Sequence, residues 1–350
     1  MKKIVTCLMA LLGLSTACGQ QNYDDADVKG FAELTEDPNV VVLDVRTASE
    51  YGKEHLVGAV NIDQFQCDFL GKARGMLSAD KTIAVYCRSG HRSAIAAGKL
   101  AAEGYKVVNL KGGIIAWKKA GMPVTTDTYE VDVFKTKSGK TVRFHALAHA
   151  SIRMEYDGKE IEIDPVTKLG NKSIDYSEMP KADYLFVTHE HGDHFDKEAI
   201  RLLSGDGTQL VTNKRCADML GYGEVMLNGQ RATLGDMEVE AVPAYNTTEG
   251  RTQFHPKGRD NGYILTIDGL RIYIAGDTED IPEMQEIKDI DIAFLPCNQP
   301  YTMTTEQLVK AAKIIQPKVL FPYHYGQTDV SGIAALLQDS GIDVRIRHYE

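Results

Sequence analysis

The stretch Thr188-His189-Glu190-His191-Gly192-Asp193-His194 indicates both the fold and the chemistry of this chain. It places three imidazoles and the carboxylate of Asp193 within six residues. It follows the run Asp183-Tyr184-Leu185-Phe186-Val187, whose apolar, β-branched and aromatic residues predict a buried strand. We therefore expect the cluster on the loop that leaves the carboxyl end of this strand, where α/β scaffolds carry chemistry.

The spacing within this cluster predicts two adjacent metal sites. Residues two apart project to the same side of an extended or tightly turning segment. His189 and His191 can therefore share one cation, while Asp193 and His194 reach past it toward a second. Imidazole and carboxylate suit zinc, manganese or iron, and ligand type alone does not choose among them. The alternative of a solvated polar loop suits a lone histidine better than it suits this cluster.

The pattern His-x-His-x-Asp-His after a strand resembles the signature of the metallo-β-lactamase superfamily, over about residues 130–350. Further matches follow in order, because Asp277 comes after the apolar run 270–275 and His324 comes after the apolar run 318–322. The resemblance implies that Asp277 bridges two metals and that His324 binds the second one. The ligands that it implies are His189, His191, Asp193, His194, Asp277 and His324.

Three other segments resemble the branch of this superfamily that contains ascorbate-6-phosphate lactonase, namely His149-Ala150-Ser151, Ile163-Asp164-Pro165 and Tyr301-Thr302-Met303-Thr304. The implied reaction is metal-dependent hydrolysis of a small ester, lactone, amide or phosphodiester. Two cations would acidify a bridging water and polarise a carbonyl or phosphoryl oxygen. Asp193 is a candidate to orient the attacking hydroxide, and His149 is a further candidate ligand. Candidates to donate hydrogen bonds to the substrate are His149, Tyr245, Tyr323 and Tyr325.

One departure from the superfamily pattern concerns the first metal. The superfamily usually places another histidine between the first cluster and the bridging aspartate, yet the corresponding segment 242–246 ends in Asn246. An asparagine carbonyl binds transition metals more weakly than imidazole does. His255, nine residues further on, is an alternative ligand. Three outcomes stay open, namely a weaker first site, a different metal there, or a mononuclear centre.

A second candidate site lies upstream, where the apolar run 82–86 leads into Cys87-Arg88-Ser89-Gly90-His91-Arg92-Ser93 and an Ala-rich helical segment. A cysteine at a strand-to-helix turn meets free backbone amides and the positive end of a helix, and Arg88 and Arg92 add charge. Its thiolate should be favoured. Because Gly90 lets the loop curl, several amides can face one anionic sulfur. The alternative is an inert buried thiol.

The length of this loop selects the anion. Cysteine phosphatases use Cys-x5-Arg around a tetrahedral phosphate, whereas Cys87 and Arg92 form the shorter Cys-x4-Arg. Together with Leu43-Asp44-Val45-Arg46 and Leu110-Lys111-Gly112-Gly113, this loop makes residues 24–125 resemble a single rhodanese domain. The resemblance implies that Cys87 takes sulfur from a sulfane donor, holds it as a persulfide, and passes it to a thiol or cyanide.

The extreme N-terminus predicts export. Residues 1–3 supply positive charge, residues 4–14 form an apolar run too short to span a membrane, and small residues precede Cys18. This pattern resembles a bacterial lipoprotein box, which implies a lipidated Cys18 anchored to a membrane in the periplasm or cell envelope. A plain cleaved signal is the alternative. We expect residues 1–23 to be signal and tether, followed by domains at 24–125 and 130–350.

Composition fits two α/β domains. The chain has 350 residues, which exceeds one comfortable core, and a formal net charge of −10. An acidic body without a basic stripe argues against nucleic acid as a partner. The predicted fold is a rhodanese-like doubly wound parallel sheet, followed by a metallo-β-lactamase αββα sandwich of two sheets covered by helices. The remaining cysteines are too few for a disulfide scaffold.

Three functions are compatible with these patterns. The first is an exported bifunctional enzyme, with a zinc, manganese or iron hydrolase joined to a sulfurtransferase. The second is a persulfide dioxygenase with an iron site, although such fusions usually place the rhodanese last and rely on the histidine that Asn246 replaces. The third treats the rhodanese domain as a binding module, which the intact Cys87 loop disfavours. Expected partners are a small-molecule substrate, a sulfane sulfur donor and a thiol acceptor.

Overall fold

The structure is a computed structural model that describes residues 22–37, 39–126, 129–170 and 172–349, apart from the side chains of residues 75 and 178. The predicted signal and the predicted lipidated Cys18 therefore lie outside the described residues. No helix in the described part of the chain has the length and apolar character needed to cross a bilayer.

The N-terminal region is built on a five-stranded sheet in which every pairing is parallel. Its strands are β1 (Asp24–Ala26), β2 (Val40–Asp44), β4 (Ala59–Asn61), β5 (Thr82–Tyr86) and β6 (Lys106–Leu110), and a small antiparallel pair is formed by β3 (His55–Leu56) and β7 (Val124–Thr125). The helices are α1 (Val28–Thr35), α2 (Ala48–Tyr51), α3 (Phe69–Met76), α4 (His91–Ala102) and α5 (Gly113–Lys119). The order β1-β6-β5-β2-β4 places β5 in the centre, so its carboxyl end is flanked by β2 and β6.

Both faces of this sheet are covered by helices, as predicted. On one face, residues of α3 and α4, such as Ala73 and Ala97, pack against Val85. On the other face, Phe31 of α1 and Trp117 of α5 pack against neighbouring strand residues. Burial on both faces explains why β5 is a nearly continuous apolar run, which is characteristic of a central parallel strand.

The C-terminal region contains two seven-stranded sheets. The first sheet has the order β16-β15-β14-β11-β10-β9-β8, with strands β8 (Glu130–Lys135), β9 (Thr141–Ala148), β10 (Ser151–Tyr156), β11 (Lys159–Ile163), β14 (Tyr184–Val187), β15 (Gln209–Thr212) and β16 (Glu224–Val225). A separate pair is formed by β12 (Lys168–Leu169) and β13 (Lys172–Ser173). The second sheet runs in chain order through β17 (Arg231–Leu234), β18 (Met237–Ala244), β19 (Asp260–Ile267), β20 (Leu270–Ile274), β21 (Ile292–Pro296), β22 (Val319–Tyr323) and β23 (Asp343–Val344).

The two sheets pack face to face around a shared apolar core. It combines aliphatic and aromatic side chains, and the rings of Phe294 and Phe321 stack with centroids 4.9 Å apart. The outer faces are covered by α6 (Lys197–Leu203), α7 (Lys214–Leu220), α8 (Thr305–Ile315) and α9 (Ile333–Leu336), with two 3-10 helices at Tyr176–Glu178 and Pro282–Glu286. The predicted αββα sandwich is confirmed, because each sheet carries helices on the face that points away from the other sheet.

Candidate metal centre and candidate sulfur site

Eight side chains meet where strands of both sheets of the sandwich end. One group contains His189, His191, His255 and Asp277, and the other contains His149, Asp193, His194 and His324. Within each group, the potential ligand atoms lie within 4.8 Å of one another. The structure thus brings together all six ligands that the sequence predicts, along with His149 and His255, which the sequence offers as further candidates.

In the first group, three imidazole nitrogens surround one point. His191 Nδ1 lies 3.0 Å from His189 Nε2 and 3.2 Å from His255 Nε2. Asp277 Oδ2 lies 3.3 Å from His255 Nε2 and 3.7 Å from His189 Nε2. Ligands at tetrahedral zinc, about 2.0–2.1 Å from the metal, would be about 3.3–3.4 Å apart. The observed spacings are those of a metal ligand set.

The second group uses the other oxygen of the same aspartate. Asp277 Oδ1 lies 3.2 Å from His194 Nε2 and 3.2 Å from His324 Nε2. Asp193 Oδ2 lies 3.3 Å from His149 Nε2 and 3.5 Å from His324 Nε2. Each carboxylate oxygen of Asp277 therefore faces a different group, which is the arrangement needed to bridge two cations.

Several buried atoms of the centre show that it fits a metal. His194 Nε2, His324 Nε2 and Asp277 Oδ1 are buried and make no hydrogen bond with the described residues. Leaving a buried polar atom unsatisfied costs about 1–3 kcal/mol. A cation would satisfy all three atoms at once, so the donor set and its burial are those of a metal centre.

The backbone at this centre adopts strained conformations. His149, Asp164 and His324 have φ values of +52°, +45° and +48°, in the left-handed region that non-glycine residues rarely occupy. Backbone hydrogen bonds hold the two histidines there, because His324 N donates to His149 O and His149 N donates to Tyr349 O. The C-terminal tail therefore positions a residue of the second group. Such strain is characteristic of functional sites.

Asp164 orients the imidazoles of both groups. Its Oδ1 accepts from Thr188 N at 2.7 Å, and its Oδ2 accepts from Thr188 Oγ1 at 2.7 Å and from His194 Nδ1 at 2.8 Å. Because the Thr188 hydroxyl donates to Asp164, it is left to accept from His189 Nδ1, 3.0 Å away. Both histidines thus hold a proton on Nδ1, and this directs Nε2 toward the metal position.

The imidazoles differ in charge state. Burial lowers the pKa of His189 and of His191 below its ordinary value, so both are neutral at pH 7. Burial would also lower the pKa of His194, but three surrounding carboxylates, first that of Asp277, raise it well above the ordinary value. Cation binding to the second group must therefore displace protons, whereas the first group presents neutral imidazoles.

The carboxylates of the centre remain charged. Burial would raise the pKa of Asp277, but the neighbouring His324 and His194 lower it well below the ordinary carboxyl value. The pKa of Asp193 is likewise lowered, since burial is outweighed by the charge of His194 and by the nearby imidazoles of His149 and His324. Both residues present anionic oxygens at neutral pH, as cation ligands must.

Asn246 and His255, the two candidate ligands for the first metal, occupy different places in the structure. His255 Nε2 points into the first group, whereas Asn246 Oδ1 lies behind it, 2.7 Å from His255 Nδ1. The eight residues between them form a loop that returns the imidazole to the position where the superfamily pattern expects one. No local signal in the sequence fixes the direction of His255, so only the fold distinguishes these two residues.

The tyrosines proposed as substrate donors have protein partners instead. Tyr323 OH accepts from Gly276 N at 3.0 Å and supports the turn before Asp277. Tyr245 OH donates to Glu283, and Tyr325 OH donates to the main-chain oxygen of Arg347. Each of these hydroxyls therefore has a partner within the protein.

The upstream site forms a cradle around Cys87, at the carboxyl end of β5. Cys87 Sγ accepts from Gly90 N at 3.2 Å and from Ser93 Oγ at 3.4 Å. Burial alone would raise the pKa of this thiol, but hydrogen bonds from Ser93 and from the amides of Ser89 and Gly90 lower it below the ordinary value. The thiolate is therefore favoured, as the sequence predicts. The four cysteines of the described residues, Cys67, Cys87, Cys216 and Cys297, are all free thiols.

The two arginines of the cradle have different roles. Arg92 makes two 2.6 Å contacts with Glu50, and this pairing lowers the pKa of Glu50 to about 2. Its charge is therefore largely offset by a carboxylate. Arg88 is exposed at the edge of the cradle, where it can contact an anionic sulfur-donor substrate. The hydroxyl of Ser93 and the loop amides thus stabilise the Cys87 thiolate, and this contribution of Ser93 is not evident from the sequence.

Comparison with known families matches both regions. The family described as beta-lactamase superfamily domain matches residues 143–324, and the family described as rhodanese-like domain matches residues 27–120. A UPF0173 metal-dependent hydrolase of Archaeoglobus fulgidus is 30% identical over 216 residues, which cover 57% of this chain and 92% of that protein. One from Ligilactobacillus salivarius is 32% identical over 187 residues, covering 51% and 82%.

Solved structures agree with these matches. A Parabacteroides distasonis protein described as a metal-dependent hydrolase is 52% identical and covers 63% of this chain and 100% of its own, with a TM-score of 0.62. Igni18, a metallo hydrolase of Ignicoccus hospitalis, is 28% identical, covers 59% of this chain and 94% of its own, and has a TM-score of 0.51. Both relatives correspond in size to the C-terminal region.

Proposed function

Because the chain belongs to the β-lactamase superfamily of metal-dependent hydrolases and carries a rhodanese-like domain ahead of it, we propose that it is an exported bifunctional enzyme. Its C-terminal domain hydrolyses a small ester, lactone, amide or phosphodiester, and its N-terminal domain transfers sulfur through Cys87. The observation that carries the hydrolytic proposal is Asp277, whose two oxygens face two separate imidazole groups.

The residues of the centre define where the reaction takes place. The gathered histidines and aspartates would hold two divalent cations, zinc first among the candidates, and these would acidify a water and polarise a carbonyl or phosphoryl oxygen. Of the eight gathered side chains, only His191 and Asp193 are partly exposed, so substrate approaches between them. Asp193 is anionic and held by His149, and it can accept a hydrogen bond from the attacking water and orient it.

The hydrolytic proposal is tested by metal content and a substrate panel. Protein purified without added metal is expected to contain zinc or manganese and to hydrolyse one class among esters, lactones, amides and phosphodiesters. His191→Ala should remove this activity because it removes a nitrogen of the first group, whereas the matched change His348→Ala, at an exposed histidine of the same domain, should not. Equal activity in both variants contradicts the proposal.

The sulfurtransferase proposal rests on the lowered pKa of the Cys87 thiol and on the amides that surround it. The thiolate attacks the outer sulfur of thiosulfate, the sulfur–sulfur bond breaks, sulfite leaves, and Cys87 carries a persulfide. Cyanide then takes the outer sulfur as thiocyanate and the thiolate returns. Cys87→Ser should abolish thiocyanate formation and leave hydrolysis unchanged. A wild-type protein that forms no thiocyanate would favour the alternative of a binding module.

A persulfide dioxygenase activity is the second candidate, and His255 favours it. The departure at Asn246 argues against an iron site that needs the intermediate histidine, but His255 Nε2 occupies the first group in its place. Iron at about one atom per chain together with oxygen uptake on glutathione persulfide would select this function. Zinc or manganese without oxygen uptake would select hydrolysis.

Export and membrane anchoring are proposed from the N-terminal pattern of the sequence, which ends at Cys18. Two or more acyl chains at Cys18 would hold the enzyme at a membrane surface. Metabolic labelling with a radioactive fatty acid tests this directly. Label in the wild type and none in Cys18→Ala is the expected result, and an unlabelled but shortened wild-type chain would indicate a plain cleaved signal.

A further inference from the structure

Asn246 makes three hydrogen bonds next to the first metal group. This residue is 2% exposed. Its Nδ2 donates to Tyr301 O at 2.8 Å, its Oδ1 lies 2.7 Å from His255 Nδ1, and its main-chain N donates to His255 O at 2.9 Å. Every polar atom of the Asn246 side chain is therefore engaged, and none is directed at the metal position.

These contacts fix the proton on His255. The main-chain oxygen of Tyr301 can only accept, so the amide nitrogen of Asn246 must face it. The amide oxygen is then the atom that faces His255, and His255 Nδ1 must donate to it. The proton sits on Nδ1, and the lone pair sits on Nε2. That Nε2 lies 3.2 Å from His191 Nδ1 and 3.3 Å from Asp277 Oδ2.

We propose that Asn246 is a positioning residue, which holds His255 in the tautomer and direction required by the first metal without binding that metal itself. Two other imidazoles of the centre follow the same rule, because Asp164 accepts from His194 and Thr188 accepts from His189. A ligand histidine usually needs such a partner on its second nitrogen. Asparagine supplies this partner to His255 without adding a charge.

The same side chain ties His255 to an exposed turn. Residues 298–302 form a closed turn, in which Thr302 N donates to Asn298 O and Asn298 N donates to Thr302 Oγ1. Tyr301 carries the carbonyl that Asn246 holds, and its ring, which is 46% exposed, lies 5.0 Å from the ring of Phe254. Phe254 directly precedes His255. The buried amide of Asn246 therefore connects this turn to His255. The contact between the rings of Tyr301 and Phe254 connects the same two segments nearer the surface.

Two substitutions separate these two roles. Asn246→Leu keeps the approximate size and removes both side-chain hydrogen bonds. Asn246→Asp keeps an oxygen that accepts from His255 Nδ1 but cannot donate to Tyr301 O. A matched control is Asn109→Leu, the same change at a buried amide of the N-terminal domain, where Nδ2 donates to Asp25. The first variant tests the metal role, and the second shows whether the acceptor alone sustains it.

The experiment titrates metal-free full-length protein with Zn²⁺ against a competing chelator and records the spectrum of the Co²⁺ form. We expect two sites in the wild type and in Asn109→Leu. In Asn246→Leu, the first-site affinity should fall by about 10–100-fold while the second site is unchanged. In Asn246→Asp, both affinities should stay within about threefold, and only the amides of residues 298–302 should exchange hydrogen faster.

The inference rests on the proposed first metal site and not on hydrolysis, so an inactive but metal-binding protein leaves it standing. It is overturned if Asn246→Leu keeps its first-site affinity and Co²⁺ spectrum. It is also overturned if Asn246→Asp loses as much affinity as Asn246→Leu, because the retained acceptor should hold His255. A wild type that takes up a single Zn²⁺, with the same affinity in Asn246→Leu, overturns the inference and the two-site assignment together.

Discussion

Replacing Asp164 with asparagine should destabilise the C-terminal domain and weaken its second metal site. Asp164 is fully buried, and its two carboxylate oxygens accept three hydrogen bonds from Thr188 and His194. Its φ of +45° suits asparagine, which tolerates the left-handed region, so the backbone need not move. The variant therefore changes the charge and the hydrogen bonds of this side chain without a change of the backbone.

The expected magnitude follows from these contacts. An amide has one oxygen, and that oxygen should stay with the two donors that share Oδ2, the Thr188 hydroxyl and His194 Nδ1. The amide NH2 then faces Thr188 N, whose buried N–H is left without an acceptor at a cost of about 1–3 kcal/mol. The hydrogen bond to His194 also loses its charged acceptor. We expect a total loss of about 2–4 kcal/mol and about 10–100-fold weaker metal binding at the second site.

Urea unfolding of the chelated protein measures the loss of stability, and competitive Zn²⁺ titration measures the affinity of the second metal site. The control is Asp175→Asn, at an exposed carboxylate of the same domain that accepts from Ser177 N, because asparagine caps nearly as well as aspartate. If Asp164→Asn unfolds within about 0.5 kcal/mol of this control and binds both metals as tightly as the wild type, the assigned role of Asp164 is wrong.

Three further predictions concern the cradle and the metal-free protein. Ser93→Ala should raise the pH at which thiocyanate formation by Cys87 is half-maximal, since the Ser93 hydroxyl helps to lower the pKa of this thiol; an unchanged pH profile would contradict this. Gly113→Ala should cost more than about 2 kcal/mol in thermal unfolding, because its Cβ would lie 2.3 Å from Cys87 O at φ +57°, whereas Gly121→Ala, at φ +74° in open space, should cost about 1 kcal/mol. The free energy of unfolding of the chelated protein should fall by about 3 kcal/mol between pH 6.5 and pH 9. Asp277 and Asp193 outweigh burial and raise the pKa of His324 to about 9. The stabilisation from His324 is therefore complete below the pKa of the unfolded state and is lost as the pH rises through the folded-state value. A free energy of unfolding, measured in urea, that increases from pH 6.5 to pH 9 would refute this last prediction.

The elements that carry the two sites are predictable from the sequence for a physical reason. Strand β5 occupies the predicted residues 82–86, and β14 lies within the predicted run 183–187, because strands covered on both faces must be apolar throughout. The functional loops that follow these strands contain several polar residues in a short span. The change from apolar to polar residues therefore marks the end of each strand in the sequence. Cys87 and His189 therefore fall at strand ends, as expected.

Contacts that close over long distances in the sequence are not predictable in this way. The sequence offers Asn246 where the superfamily has histidine, and only the loop between them shows that His255 fills the position while Asn246 supports it. Similarly, the pattern around Cys87 assigns charge to Arg92, yet Glu50, 42 residues earlier, pairs with it. Both outcomes depend on where a second segment of the chain arrives, which local periodicity does not encode.

The metal centre also joins the two sheets of the sandwich, and this predicts how metal removal affects the protein. His149, His189 and His194 lie at ends of strands of the first sheet, whereas Asp277 and His324 follow strands of the second. A bound cation therefore links the two layers, and each site at a free metal concentration 100 times its Kd should add about 2.7 kcal/mol. Chelation should speed hydrogen exchange in β14 and β20 and lower the unfolding temperature of the C-terminal domain. Sulfur transfer by Cys87 should persist, because its cradle contains no residue of the centre. Equal loss of both activities on chelation would mean that the two domains do not unfold independently.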